Sequence, residues 1–163
     1  MPIPGVVQPD ILEVEAGLRL RRFDGQFAFA LPWYQDEETV NLVDGKRTPY
    51  TAEALERMYA YLDTHGELYF IEVLADGIYR PIGDVTFWRA DMPIVIGDRR
   101  FRGKGIGGKV VAALIARGRA LGWDRLGVAE IYDHNAVSRR CFEKAGFRAC
   151  EKTDRGSRFE LIL

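Results

Sequence analysis

The spacing of apolar residues changes period several times along the chain, and each change marks an element. Leu18-Arg19-Leu20-Arg21-Arg22-Phe23 alternates and predicts a first strand. Residues 25–44 carry no clear period, and Pro32 breaks any helix that precedes it. Thr51 then stands as an N-cap with Glu53 in the first turn. Leu55, Met58, Tyr59 and Leu62 follow at i, i+3, i+4 and i+7, and Gly66 stops the helix. Three strand-like runs come next, at 67–74, 81–88 and 92–97. Their connections, marked by Asp76-Gly77 and Ala90-Asp91, are short enough to make the neighbours antiparallel. The period then lengthens. Ile106, Val110, Val111, Leu114, Ile115 and Leu121 give 105–121 a broad helical face that Gly122 ends. A strand at 126–132, a short helix at 135–145 capped by Asn135, and strands at 147–152 and 158–163 complete the chain. An antiparallel first half followed by a strand–helix–strand–helix–strand tail predicts a mixed α+β sheet with helices on both faces.

A length of 163 residues suits one domain. Pro2, Pro4 and Pro9 set residues 1–16 apart as an extended N-terminal arm, leaving 17–163 as a single domain. With 47% apolar and 29% charged residues, the chain is neither wholly disordered nor collagen-like. No apolar run approaches the ~18 residues of a membrane span. The first ten residues also lack the basic-then-apolar order of a secretory leader. Two cysteines, Cys141 and Cys150, are too few for a disulfide framework and lack metal-ligand spacing. The expectation is a cytoplasmic protein with reduced thiols, no bound metal and no membrane partner.

Charge divides the chain. Residues 1–98 hold 8 Lys/Arg against 17 Asp/Glu, and residues 99–163 hold 15 against 7. Either this is chance and solvated surface, or the C-terminal half receives a polyanion and the N-terminal half a cation. A total of −1 with only local basic clusters argues against nucleic acid as a partner.

The polyanion has an obvious place. In Ile94-Val95-Ile96-Gly97-Asp98-Arg99-Arg100-Phe101-Arg102-Gly103-Lys104-Gly105-Ile106-Gly107-Gly108-Lys109 a strand runs through a basic, glycine-rich loop into a helix. Glycines let backbone N–H groups approach a phosphate, and the helix start adds about half a positive charge. Three templates fit. Gly103-x-Gly105-x-x-Gly108 is a dinucleotide fingerprint with Glu130 suitably far on, but Asp98–Arg102 separate it from its strand. Gly103-x-x-x-x-Gly108-Lys109 is a near-Walker loop, but Val110 replaces the magnesium-binding Ser or Thr.

The third template, Arg102-x-x-Gly105-x-Gly107, resembles the pyrophosphate loop of the GNAT superfamily of acyl-coenzyme A N-acyltransferases. A second segment, Asn135-x-x-Ser138-x-x-Cys141-Phe142-Glu143-Lys144-Ala145-Gly146-Phe147, resembles that family's Asn-capped coenzyme helix ending in Gly-Phe. The two lie about thirty residues apart with a strand between, and the order of elements from Leu18 onward agrees. The branches that look most similar are ribosomal-protein N-acetyltransferases and aminoglycoside 6′-N-acetyltransferases.

The resemblance implies a mostly antiparallel sheet splayed between its fourth and fifth strands, 92–97 and 126–132. It implies direct acetyl transfer from acetyl-CoA to a primary amine, with no metal. Backbone groups of Ile94, Val95 and Ile96 would pair with the pantetheine arm. Those of Phe101, Arg102, Gly103, Lys104, Gly105, Ile106 and Gly107 would hold the pyrophosphate, with charge from Arg102 and Lys104. Asn135, Ser138 and Phe142 would complete the coenzyme site. Phe142 stands where many relatives carry a tyrosine that protonates the leaving thiolate, and phenylalanine has no proton to give. Glu130 occupies the place of a catalytic acid in several subfamilies and would act as the base from a partly buried strand end. Trp33, Tyr34, Asp36, Asp84 and Trp88 fall where the family builds its acceptor pocket, and aromatics with carboxylates suit a cation or a sugar ring. The acceptor is then a protein or peptide amine, or a small polyamine-like molecule such as an aminoglycoside. A non-catalytic acyl-CoA-binding module is the alternative. The protein would be a monomer or a homodimer.

Overall fold

In a computed structural model that describes residues 1–163, the alternation at 18–23 forms the second strand of a sheet rather than the first. The first, β1 (Ile11–Glu15), lies in the segment read as an arm and pairs antiparallel with β2 (Leu18–Arg22). Its exposure alternates along the strand, as a period of two requires. The residues before it are tied down: Ile3 is buried, and the Gln8 side chain donates to the Leu68 carbonyl at 3.0 Å. The expected fourth and fifth strands are therefore β5 and β6.

The chain divides into two compact units. The first is Met1–Thr86 with Ile94–Arg102, and the second is Phe87–Pro93 with Gly103–Leu163. The first unit carries the five-stranded sheet β1-β2-β3-β4-β5, with β3 at Glu67–Ala75, β4 at Ile78–Phe87 and β5 at Ile94–Ile96. β5 is shorter than the run at 92–97 predicted. It keeps three antiparallel pairs with β4: Gly83 with Ile96, Asp84 with Val95, and Val85 with Ile94. Three helices belong to this unit: α1 (Leu31–Tyr34), α2 (Glu37–Asp44) and α3 (Ala52–His65). Pro32 sits in the opening turn of α1, where a missing N–H costs nothing, and breaks no helix. Thr51 caps α3 as predicted, its hydroxyl accepting from the Ala54 N–H at 3.1 Å. Leu55, Tyr59 and Leu62 of α3 are buried, and the Tyr59 ring lies 5.4 Å from Phe23 and 5.6 Å from Phe70.

The second unit holds a three-stranded antiparallel sheet, β6-β8-β7, from β6 (Arg125–Tyr132), β7 (Arg148–Lys152) and β8 (Gly156–Ile162). Its helices are α4 (Ile106–Ala120) and α5 (Ala136–Lys144). Val110, Val111, Leu114 and Ile115 of α4 are buried, matching the predicted face. The five-stranded sheet of the first unit ends at β5. The fold is mixed α+β with antiparallel pairing. No helix is long and apolar enough to cross a membrane.

The charge division survives folding. The first unit carries 10 Lys/Arg against 16 Asp/Glu, and the second 13 against 8.

Candidate active site

In the second unit, α4 differs from its neighbours in how it begins. α2, α3 and α5 each start on a residue whose side chain accepts a backbone N–H: Asp36, Thr51 and Asn135. α4 starts on Gly105, which has no side chain to cap with and a left-handed backbone at φ 79°. That conformation costs an L-residue roughly 1–2 kcal/mol. The first-turn N–H groups of α4 are thus left to a ligand or water. Space lies over them, since a Cβ built on Gly103, Gly105 or Gly108 would meet nothing within 4 Å. Lys104 is exposed beside them, and Ile106 and Gly107 form the first turn. This cradle fits a pyrophosphate.

α5 approaches α4 through Cys141, whose Sγ would lie 3.7 Å from a Cβ on Gly107. Asn135 caps α5 as predicted, accepting from the Ser138 N–H at 3.1 Å, so its side-chain oxygen is occupied by its own helix. Phe142 departs from the expected coenzyme contact. Only 2% exposed, its ring meets Phe147 at 5.2 Å and 80°, so it is a core side chain. Burial raises the Cys141 thiol above its usual value, against the weaker pull of Lys144, which leaves it a poor nucleophile.

Glu130 lies at a bulge in β6, where the register with β8 slips between Val128 and Ile131. A bulge re-aims a side chain out of the alternation. The carboxylate is exposed, not partly buried as expected, because the slip turns it outward. Its Oε2 accepts from the Thr153 hydroxyl and from the Arg155 N–H. One oxygen is anchored in the β7–β8 turn while Oε1 takes no hydrogen bond. Beside the bulge lies Asp91, in the turn that Ala90-Asp91 marks in the sequence. Its Oδ1 accepts from the Ala129 N–H and the Met92 N–H, both at 2.9 Å, and burial nonetheless raises its pKa. The nearby Trp88, half-buried, forms an isolated bridge with Asp91.

In the first unit, β5 ends its sheet, so one edge of Ile94, Val95 and Ile96 lacks a ladder partner there. The Ile96 carbonyl is already engaged: it accepts from Arg102 Nε at 2.9 Å. Arg102 Nη2 donates to the Thr39 hydroxyl at 2.7 Å. The guanidinium expected to meet the pyrophosphate is therefore turned toward α2. Phe101 closes a short 3-10 turn and is half-buried.

The acceptor residues are rearranged most. Tyr34 and Asp84 are buried at 1% and 2% exposure, and Asp84 Oδ2 accepts from Tyr34 at 2.7 Å and from Tyr59 at 2.8 Å. Neither is open to a substrate; they form a polar knot inside the unit. Asp36 caps α2 and pairs with Arg99, and Glu38 lies 3.4 Å from the same guanidinium. Burial acts to raise the Asp36 carboxyl. The Thr39 N–H, Arg99 and the Thr39 hydroxyl outweigh it and hold the pKa below the usual carboxylate range. Arg99, 63 residues from Asp36, thus occupies an acid read as part of the acceptor pocket. Trp33 is half-buried, and its Cβ and indole carbons crowd Gly97 so closely that a Cβ there would lie 2.3 Å away.

A cleft of about 690 Å³ lies within the second unit, lined by Tyr132, Arg139, Lys144, Arg148 and Lys152 among others. It includes neither the glycine loop nor Glu130, so its size does not make it the reaction site. No cluster of three or more His, Cys, Asp or Glu residues is arranged to hold a metal ion.

The chain belongs to the GNAT family, whose acetyltransferase domain pattern matches residues 18–148. Solved structures share the fold. A domain from Methanocaldococcus jannaschii is 19% identical with a TM-score of 0.76, covering 90% of this chain and 98% of that one. The aminoglycoside acetyltransferase AAC(6')-Ib, solved with ribostamycin and coenzyme A, is 18% identical with a TM-score of 0.73, covering 90% and 93%. RimL, a ribosomal L7/L12 alpha-N-protein acetyltransferase solved with coenzyme A, is 16% identical with a TM-score of 0.71, covering 94% and 98%. No curated protein sequence matches the chain.

Proposed function

We propose that the protein is an N-acetyltransferase that moves an acetyl group directly from acetyl-CoA to a primary amine of a cationic acceptor. The observation that carries this reading is the start of α4: glycines under open space, no side-chain cap, and Lys104 alongside. Acetyl-CoA supplies the activated thioester. The N–H groups of the first α4 turn hold its pyrophosphate. The unpaired edge of β5 offers backbone groups to the pantetheine arm. Glu130 takes the amine proton on Oε1, while Thr153 and Arg155 hold the other oxygen still. The acidic surplus of the first unit supports a cationic acceptor, although Asp36 and Glu38 spend part of their charge on Arg99. A protein or peptide amine and an aminoglycoside-like polyamine both satisfy that chemistry, and a cytoplasmic setting belongs to the same proposal.

Gly108→Ala tests the coenzyme half. Alanine fits a helix better than glycine by up to about 1 kcal/mol, and the added Cβ meets no protein atom within 4 Å, so it stands in the space left over the first turn of α4. The melting temperature should hold or rise, while calorimetry should show coenzyme A binding at least ~10-fold weaker, about 1.4 kcal/mol. Unchanged affinity would remove the loop from the site.

Glu130→Gln tests the proton acceptor. Glutamine keeps an oxygen for Thr153 and Arg155 but cannot act as the base. The expected loss in kcat is ~10²-fold or more, in the range of general bases, with coenzyme affinity unchanged. A loss below about threefold would leave Glu130 as the acceptor of its turn alone. The buried Phe142, with no hydroxyl for the leaving thiolate, favours a second reading as a non-catalytic acyl-CoA-binding module. Acetyl-CoA consumption in a mixed library of amines separates the two, since the module would bind without turnover.

A further inference from the structure

We infer that Thr39 is a positioning residue for the coenzyme loop, acting through Arg102; this rests on the coenzyme reading above. Arg102 directly precedes Gly103, so its orientation sets how the chain enters the glycine segment. Three groups on two other elements fix it. Its Nε donates to the carbonyl of Ile96, the last residue of β5, at 2.9 Å. Its Nη2 donates to the Thr39 hydroxyl at 2.7 Å. Its Nη1 lies 4.0 Å from Glu38. The Thr39 hydroxyl in turn donates to Asp36 Oδ2 at 2.9 Å, on the carboxylate that Arg99 also pairs with.

The Thr39 hydroxyl completes this chain. A carboxylate accepts and a guanidinium donates, so the group between them must do both, and a hydroxyl carries one donor and two acceptor sites. Thr39 is 2% exposed, so water does not easily replace it. The relay Asp36–Thr39–Arg102–Ile96 ties the start of α2 to the end of β5 and to the last residue before the loop. Arginine suits the task because its planar fork makes two directed bonds at once, which a lysine ammonium does not reproduce. Sequence reasoning missed Thr39 because its partner lies 63 residues away.

The test is coenzyme A affinity, by calorimetry, in a small set of variants. Thr39→Val keeps the shape, and the α2 cap survives because Asp36 still accepts the Thr39 backbone N–H at 3.0 Å. Affinity should fall about 5- to 30-fold with the fold intact by circular dichroism. Thr39→Ser, which restores the hydroxyl, should return it to within about twofold of wild type. Arg102→Lys should match the loss of Thr39→Val. Combining the two should cost no more than either alone, because both break one relay. Wild-type affinity in a folded Thr39→Val protein would overturn the inference, as would failure of serine to rescue or losses that multiply in the double variant. Wild-type protein that binds no coenzyme A would instead overturn the coenzyme reading on which the relay depends.

Discussion

Gly83→Ala is expected to lower the melting temperature by roughly 6–12 °C, the shift that about 3 kcal/mol of overpacking produces in a chain of this length. Coenzyme A binding should be lost in the same variant. A Cβ at Gly83 would lie 2.1 Å from the Val95 carbonyl oxygen and 3.1 Å from Ile96 Cα and Val95 C. All three are backbone atoms of β5, so no rotamer change relieves the clash. β5 has three residues and three pairs with β4, so displacing it at one pair leaves little of the ladder. The same strand is the proposed partner of the pantetheine arm, which links the stability loss to the binding loss. Gly107→Ala is the control for stability, since a Cβ there meets only Cys141 Sγ at an ordinary 3.7 Å and its melting temperature should hold or rise. Thermal unfolding and calorimetry check both variants. A Gly83→Ala protein with wild-type melting temperature and affinity would show that β5 moves freely and that the coenzyme does not depend on it.

What could be read from the sequence follows from the range of the forces involved. Caps and helix periods are local, so Thr51 and Asn135 were placed correctly, as was the buried face of α4. β1 carried its own signal, since Leu12-Glu13-Val14-Glu15 alternates, but the prolines before it drew the segment into an arm. α2 also announced itself, with Asp36 as cap and Glu37 and Glu38 in its first turn. At eight residues, however, it shows too little period to stand out. The glycine-rich, uncapped start of α4 was legible because its signal lies in consecutive residues. The acceptor side was not, because its meaning depends on partners far along the chain. Asp36 and Glu38 look like free acids until Arg99 folds onto them, and Arg102 looks like a phosphate ligand until Thr39 takes it. Counting charges finds a surplus but cannot say which charges are already spent.

Asp84 shows that limit most sharply, and it makes the protein's stability depend on pH. Tyr34 and Tyr59, 50 and 25 residues away, converge on its Oδ2 inside the first unit. Burial pushes the carboxyl up from an ordinary 3.8 to about 6; the two hydroxyl donors favour the charged form, but burial wins. The tyrosines are driven upward too, first by burial and then by the Asp84 charge, so both remain donors. A folded pKa above the unfolded one means that the protonated acid favours the folded state. Its contribution is full below pH ~4 and is lost as pH rises to ~6, and two pKa units amount to ~3 kcal/mol. Asp84→Asn stays neutral throughout and keeps an oxygen for a tyrosine hydroxyl. Denaturant unfolding of both proteins at pH 4 and pH 7 should therefore show the balance shifting toward the asparagine variant by ~3 kcal/mol across that interval. Asp84→Ala should cost about 2–5 kcal/mol at either pH, because two buried hydroxyls lose their acceptor together. Parallel stability curves for wild type and Asp84→Asn from pH 4 to 7 would mean that Asp84 titrates alike in the folded and unfolded chain, and that burial does not govern it.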